Sequence, residues 1–423
     1  MYELNTLKNG IRCVGHIMPE RDSLSIGVWI NAGARYESKR EGGISHFLEH
    51  LLFKGTFKRS AEEIKEAIEG RGGAMNGFTS EEFTCYLVKV LNRDMKTALD
   101  VLSDMVLNAR LAPKDIEKER TVIKEEIKMY LDLPSHHVHD LLVEMLWPGQ
   151  PLGRNLAGTV ETVGAITRKG IRGYKDRFYN PSNIVIAACG NMRYRDFFDS
   201  CEEHFKTARK GHKSVFEKAT ERQKRPRLKI LSKKTEQAHL AMGVHAFGRN
   251  DPDRYVLTLL HIILGGNMSS RLFRELRERR GLVYEIGTHT KKFYDTGAFL
   301  ISAGLDTKKV VKSLDLMTKE LKKIKTKPVG RDEFERGKEF YRGQLLLGLE
   351  DTVDHMLWMG EYMSADGMIL TPGEILGKID KITPDDIRRV AKRVFNDAGL
   401  NLALIGPINK AEERSISEAL TVT

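Results

Sequence analysis

Residues 44–53 read Ile-Ser-His46-Phe-Leu-Glu49-His50-Leu-Leu-Phe. Wound as a helix and counted from Ile44, His46 falls at about 200°, Glu49 at about 140° and His50 at about 240°. Ile44, Phe47, Leu48, Leu51 and Leu52 occupy the opposite side. Two imidazoles one turn apart can grip one zinc ion. A carboxylate beside them can take a proton from metal-bound water. The rival reading is an amphipathic helix with incidental polar residues. Gly42-Gly43 before the segment and Gly55 after it supply a start and a stop.

Zinc with an open coordination place needs a third protein ligand. The segment 114–131, KDIEKERTVIKEEIKMYL, follows Pro113 and has helical period. With Ile116 at zero, Ile123, Ile127, Tyr130, Val122, Met129 and Leu131 define an expected buried face from about 220° to about 60°. Glu119 and Glu126 fall inside that face, while Glu117 and Glu125 fall outside. A buried carboxylate is costly unless paired or bound to metal. The pair is either two salt-bridged structural acids or a ligand with a supporting acid. The upstream helix favours the second.

These residues need a scaffold. The chain has 423 residues, enough for two or three domains. Residues 207–228 are polar, basic and weakly periodic, and 211–228 are expected as a linker. It separates an N-terminal zinc-binding domain (1–210) from a C-terminal homologous domain (229–423). Each half repeats one pattern of strand-like and helical runs. The first has 23–33, a helix through Leu52, a helix at 60–73, a strand at 83–90 and a helix at 92–107. The second has 238–247, helices at 255–266 and 269–281, a strand at 298–305 and a helix at 307–321. The fold class expected is α+β: two duplicated domains, each a mainly antiparallel sheet packed with helices. The second half has no H-x-x-E-H; its corresponding helix offers only His261.

Lys and Arg number 69 against 58 Asp and Glu, a net charge of +11. The basic residues are interleaved with acids, as in Arg274-Glu275-Leu276-Arg277-Glu278-Arg279-Arg280, which marks a solvated helix face, and no nucleic-acid partner is expected. No apolar run reaches membrane-spanning length, so no membrane association is expected. Residues 1–13 lack the basic-then-apolar order of a secretory signal. Four scattered cysteines form no CxxC pair. Together these suit a reducing, cytoplasmic setting.

His46-Phe-Leu-Glu49-His50, followed by Glu119 and Glu126, resembles the inverted zincin metallopeptidases of the pitrilysin class, family M16. The likeness is nearest to the short-chain, processing-peptidase-like branch, M16B. The flanks agree: GGISHFLEHLLFKGT (42–56), GGAMNGFTSEEFTCY (72–86), ERTVIKEEIKMY (119–130), PLGRNLAGT (151–159), YNPSNIVIAACGN (179–191) and RELRERRGLVY (274–284). The resemblance implies a LuxS/M16 peptidase-like fold and a zinc-dependent endopeptidase of short or unfolded peptides. It assigns His46, His50 and Glu126 to one Zn2+ per chain, Glu49 to water activation, and Glu119 to a second acid on the ligand helix. It places Asn76, Gly77, Phe78 and Thr79 on an edge strand that receives the substrate backbone. It assigns Arg277 and Tyr284 to the substrate. By residue type alone, Asn76 among glycines reads as a turn. Tyr284, among Leu282, Val283 and Ile286, reads as a core tyrosine, and Arg277 as one of many helix-surface arginines. His136, His137 and His139, in a stretch that reads as loop, are not expected as ligands. Asn155 stands where relatives commonly have Pro, a change expected to alter one loop only.

Relatives of this size pair two chains into a clamshell. This chain carries both the zinc set and the Arg–Tyr pair, which suits a homodimer, with a heterodimer as the other arrangement. The competing class is a non-catalytic structural or partner subunit of an M16-like complex. Such relatives typically lack part of the zinc set.

Overall fold

The structure is a computed structural model describing residues 2–365 and 367–420. The chain forms two compact units. One is drawn from 1–128, 154–217 and 346–370, the other from 129–153, 218–345 and 371–423.

The first unit carries six strands: β1 (Tyr2–Thr6), β2 (Arg12–Ile17), β3 (Ser23–Ile30), β4 (Ala74–Thr79), β5 (Thr84–Leu91) and β6 (Ile184–Gly190). They lie in the order β1-β2-β6-β3-β5-β4. Only β2 and β6 run parallel. The second unit carries β7 (Arg227–Ser232), β8 (Ala238–Ala246), β9 (Val283–Lys292), β10 (Gly297–Leu305) and β11 (Asn401–Gly406), in the order β7-β11-β8-β10-β9. That is the first sheet's order without β1, including its single parallel pair. The duplication expected from the sequence is therefore explicit in the strand order.

Five helices matter for the site and its frame: α1 (Ile44–Leu52), α2 (Ala61–Glu69), α3 (Met95–Asn108), α4 (Pro113–Asp132) and α5 (Pro134–Leu146). Phe47, Leu48, Leu51 and Leu52 of α1 enter the main core of the first unit, together with Leu99, Leu102 and Met105 of α3 and Ile116, Ile123 and Ile127 of α4. The inner strands are buried along nearly their whole length: every residue of β6, and all of β3 after Ser23. Strands buried on both faces need cover on both. The second face of this sheet is covered by helix Thr352–Ala365, whose Met356, Met359 and Met363 pack with Trp29, Cys85 and Val185. In the second unit α5 does the same, setting Val138, Leu142 and Met145 against Ala241, Leu300 and Ala403.

Gly360 is where that covering helix meets Trp29. A Cβ there would stand 2.0 Å from the indole Nε1. Gly360→Ala is expected to lower stability by about 1–3 kcal/mol through overpacking. The readout is a lower urea midpoint at unchanged slope.

Three sequence expectations need correction. Residues 134–139 form the start of α5, not a loop; Pro134 sits in its first turn, where its missing N–H costs nothing. The buried stripe of α4 is narrower than its apolar residues suggest, since Val122 and Met129 are 44% and 49% exposed. Asn76, a turn by residue type alone, lies on strand 74–79 as the resemblance implies, because six backbone partners on β5 hold the segment extended. Asn155 closes its loop: its side-chain oxygen accepts from the Ala157 amide at 2.9 Å.

Candidate metal centre

Helix α1 begins at Gly43, whose φ of 89° is left-handed. A Cβ there would meet the Ala157 carbonyl at 2.3 Å, so only glycine fits. The first turn is anchored by Glu37. Its two carboxylate oxygens accept from the Gly43 and Ser45 amides, each at 2.8 Å. A negative group at a helix N-terminus also meets the positive end of the dipole. Glu37 is fully buried, and burial raises its carboxyl to about 7 despite those amides and Arg154. Ser45 Oγ is 2.7 Å from the Tyr174 hydroxyl. These bonds hold the turn that leads into His46.

His46, His50 and Glu126 come together: their donor atoms lie within 4.8 Å of one another, the one such group among the described residues. His46 Nε2 is 3.9 Å from Glu126 Oε1, and His50 Nε2 is 3.7 Å from Glu126 Oε2. Tetrahedral zinc with bonds of about 2.0–2.2 Å sets neighbouring donors about 3.4 Å apart. Both His–Glu separations come within about half an ångström of that spacing. Burial, with His50 next, lowers His46 to about 4, so its imidazole is neutral and its lone pair free at pH 7. Two imidazoles and one carboxylate are the kind of donor set that holds a catalytic zinc. The residues present fit the metal.

The supporting residues are unequal. His50 Nδ1 donates to Glu119 Oε2 at 3.2 Å, which fixes the tautomer that leaves Nε2 for metal. Glu119 is 2% exposed, and its other oxygen pairs with Lys54 Nζ at 2.9 Å. The buried Nδ1 of His46 has no hydrogen-bond partner among the described residues. Glu119 thus bonds one of the three candidate donors.

Glu49 accepts from Thr79 Oγ1 at 2.8 Å. Burial raises its carboxyl above the ordinary range; Thr79 and His50 pull it back, and Glu126 adds to the rise. Thr79 stands on β4, the free edge of the first sheet. A Cβ on Gly77 would touch Phe53 at 3.0 Å and Glu49 Cγ at 3.3 Å, so glycine lets the strand pass close to α1. Strand alternation puts Gly77 and Thr79 on the α1 side, and Asn76 and Phe78 on the other. Phe78 stacks edge-on to Trp29 at 5.7 Å and serves the core. Asn76 Oδ1 accepts from the Gly77 amide at 2.8 Å. Of the four strand residues named from the sequence, Thr79 holds the candidate base.

Arg277 and Tyr284 belong to the second unit. Arg277 lies on the π-helical turn Phe273–Glu278, its guanidinium 4.8 Å from the Phe273 ring centre. Tyr284 is on the edge strand β9 and is 66% exposed. The core-tyrosine reading fails there. His261 forms a structural bond, Nδ1 to Thr288 Oγ1 at 2.7 Å. The four cysteines are free and buried. No helix among the described residues is long and apolar enough to cross a membrane.

Sequence reasoning missed Glu37, Lys54 and the Thr79–Glu49 bond. Lys54 had a signal, since it follows His50 by one helical turn. Glu37 had none, because it reaches the helix from irregular chain.

The profile described as Insulinase (Peptidase family M16) matches residues 16–160, and that described as Peptidase M16 inactive domain matches 165–341. A Streptomyces coelicolor protein described as an uncharacterized zinc protease is 36% identical, over 98% of this chain and 92% of its own. A protease from Helicobacter pylori has the same fold, with TM-score 0.90 at 22% identity over 96% of this chain and 99% of its own. A chain of Complex III from Candida albicans also has it, with TM-score 0.85 at 21% identity over 99% of each chain. Profiles spanning both halves and a relative above one-third identity along nearly the whole length lead to one conclusion: the chain belongs to peptidase family M16.

Proposed function

We propose that the protein is a zinc-dependent endopeptidase of short or unfolded peptides, with one Zn2+ per chain. The observation that carries this is the convergence of His46, His50 and Glu126, with the half-buried Glu49 on the same helix. A bound zinc would supply Lewis acidity and lower the pKa of its water. Glu49, raised by burial and held by Thr79, would act as the base that takes a proton from the attacking water and returns it to the leaving amine. The free edge of β4 offers backbone groups to an extended peptide, which favours unfolded chains over any particular sequence. Arg277 and Tyr284 are proposed to contact the substrate, Tyr284 as a donor to the developing oxyanion. A homodimer is the proposed assembly, with Arg277 and Tyr284 supplied from the same or the facing chain.

A second reading, a non-catalytic subunit, is favoured by the inactive-domain profile over 165–341. The complete donor set weighs against it. The test is a mixed set of quenched peptides. Cleavage is expected, is lost on chelation, and returns with one equivalent of zinc per chain. A zinc-loaded protein that cuts nothing, alone or with candidate partner chains, would support the subunit reading. Failure to take up zinc at all would remove the metal assignment.

A further inference from the structure

We propose that Lys54 is a positioning residue for the metal centre: its ammonium neutralises the buried carboxylate that holds His50, and so sets the affinity for zinc. The inference rests on zinc being held by His46, His50 and Glu126.

The geometry is a three-member chain. Lys54 Nζ lies 2.9 Å from Glu119 Oε1, and Glu119 Oε2 lies 3.2 Å from His50 Nδ1. Lys54 lies in the turn that closes α1, just past its C-cap Phe53; its amide donates to Leu51 O at 3.1 Å. From that turn it reaches one oxygen of the carboxylate whose other oxygen His50 holds.

An ordinary half-exposed ion pair contributes little. This one differs in its partner. Glu119 is 2% exposed while the Lys54 side chain is 35% exposed. A buried carboxylate without a counter-charge is costly and swings toward water where it can. Any such swing would release His50 Nδ1 and with it the orientation of Nε2. Outer residues of this kind hold metal affinity through the ligand they orient. Among the described residues, His50 is the imidazole of the pair held by a carboxylate through its Nδ1.

The test is competition for Zn2+ between metal-free protein and a chromophoric chelator, with far-UV circular dichroism to check the fold. Lys54→Met is expected to weaken zinc binding by about 10- to 100-fold, and Lys54→Arg to stay within about threefold of wild type. Lys54→Gln, which keeps a neutral donor, is expected to fall between them and serves if the methionine variant folds poorly. In a Glu119→Gln background, Lys54→Met should add no more than about twofold, because its effect runs through that carboxylate. Wild-type affinity in folded Lys54→Met, or losses that multiply in full in the double variant, would overturn the proposal. A wild-type chain that takes up no zinc would instead overturn the metal centre on which it rests.

Discussion

Glu49→Gln is expected to keep zinc bound at wild-type affinity and to lower kcat/KM for peptide cleavage by about 1,000-fold or more. The direction follows from the site. Glutamine has nearly the same volume as the glutamate it replaces and can still accept from Thr79 Oγ1, so β4 and α1 stay in place. It cannot accept a proton. General acid–base catalysis contributes about 10²- to 10⁴-fold, and one carboxylate here would serve both as base and, afterwards, as acid. Glu49 is outside the His46–His50–Glu126 donor group, so the metal has no reason to leave. The check is zinc content by metal analysis beside cleavage rates for both proteins. Loss of zinc together with activity would make Glu49 a ligand in place of a base. Unchanged cleavage would remove it from the chemistry. A parallel Thr79→Val variant should show a smaller loss, since it frees Glu49 without neutralising it.

The candidate metal donors can be picked out in the sequence because helical period alone fixes their side. His46, Glu49 and His50 are three positions on nine residues of helix, and α1 came out with that span. Glu119 and Glu126 were legible for the same reason on α4, where two acids interrupt an apolar stripe. What periodicity does not carry is the identity of the opposing surface. Helix α5, whose start reads as loop, and helix Thr352–Ala365 each cover a sheet whose strands come mainly from elsewhere in the chain. Hydropathy also overstated burial at Val122 and Met129, because an apolar residue at the margin of a stripe is buried only if a neighbour reaches it. Local propensity misread residues 74–79, where Asn76-Gly77 suggests a turn but pairing with β5 and the approach of α1 require a strand and a missing side chain. Tyr284 shows the same limit in reverse. Val283 and Ile286 are buried, while Tyr284 falls where the pairing of β9 with β10 shifts register, and is exposed.

The start of α1 is the least legible part of the site, and it carries the second large effect. Glu37→Gln is expected to change how stability depends on pH. The Glu37 carboxyl is raised to about 7 in the folded chain by burial. Unfolded, it would titrate at about 4.3. A group that binds its proton more tightly when folded makes stability fall as pH rises between those two values, by up to about 3 kcal/mol for this one residue. Its stabilising contribution is thus fullest below about pH 4.3 and gone above about pH 7. Glutamine does not titrate, so this part of the slope vanishes in the variant. Glutamine also loses one acceptor for the Gly43 and Ser45 amides, which both bond Glu37 at 2.8 Å. An unmet buried donor costs about 1–3 kcal/mol at any pH. The variant should therefore be less stable than wild type at pH 5, with the gap closing toward pH 8. Urea unfolding of both proteins at pH 5, 6, 7 and 8, with zinc saturating throughout, reads this directly. A gap that is constant across the range would mean Glu37 is already ionised at pH 5 and that its amide bonds outweigh its burial. A gap that widens with pH would mean the carboxylate is the favoured form in the fold. Because the amides of Gly43 and Ser45 flank the turn that carries His46, zinc affinity should weaken in the variant too, through a looser helix start and with every ligand intact.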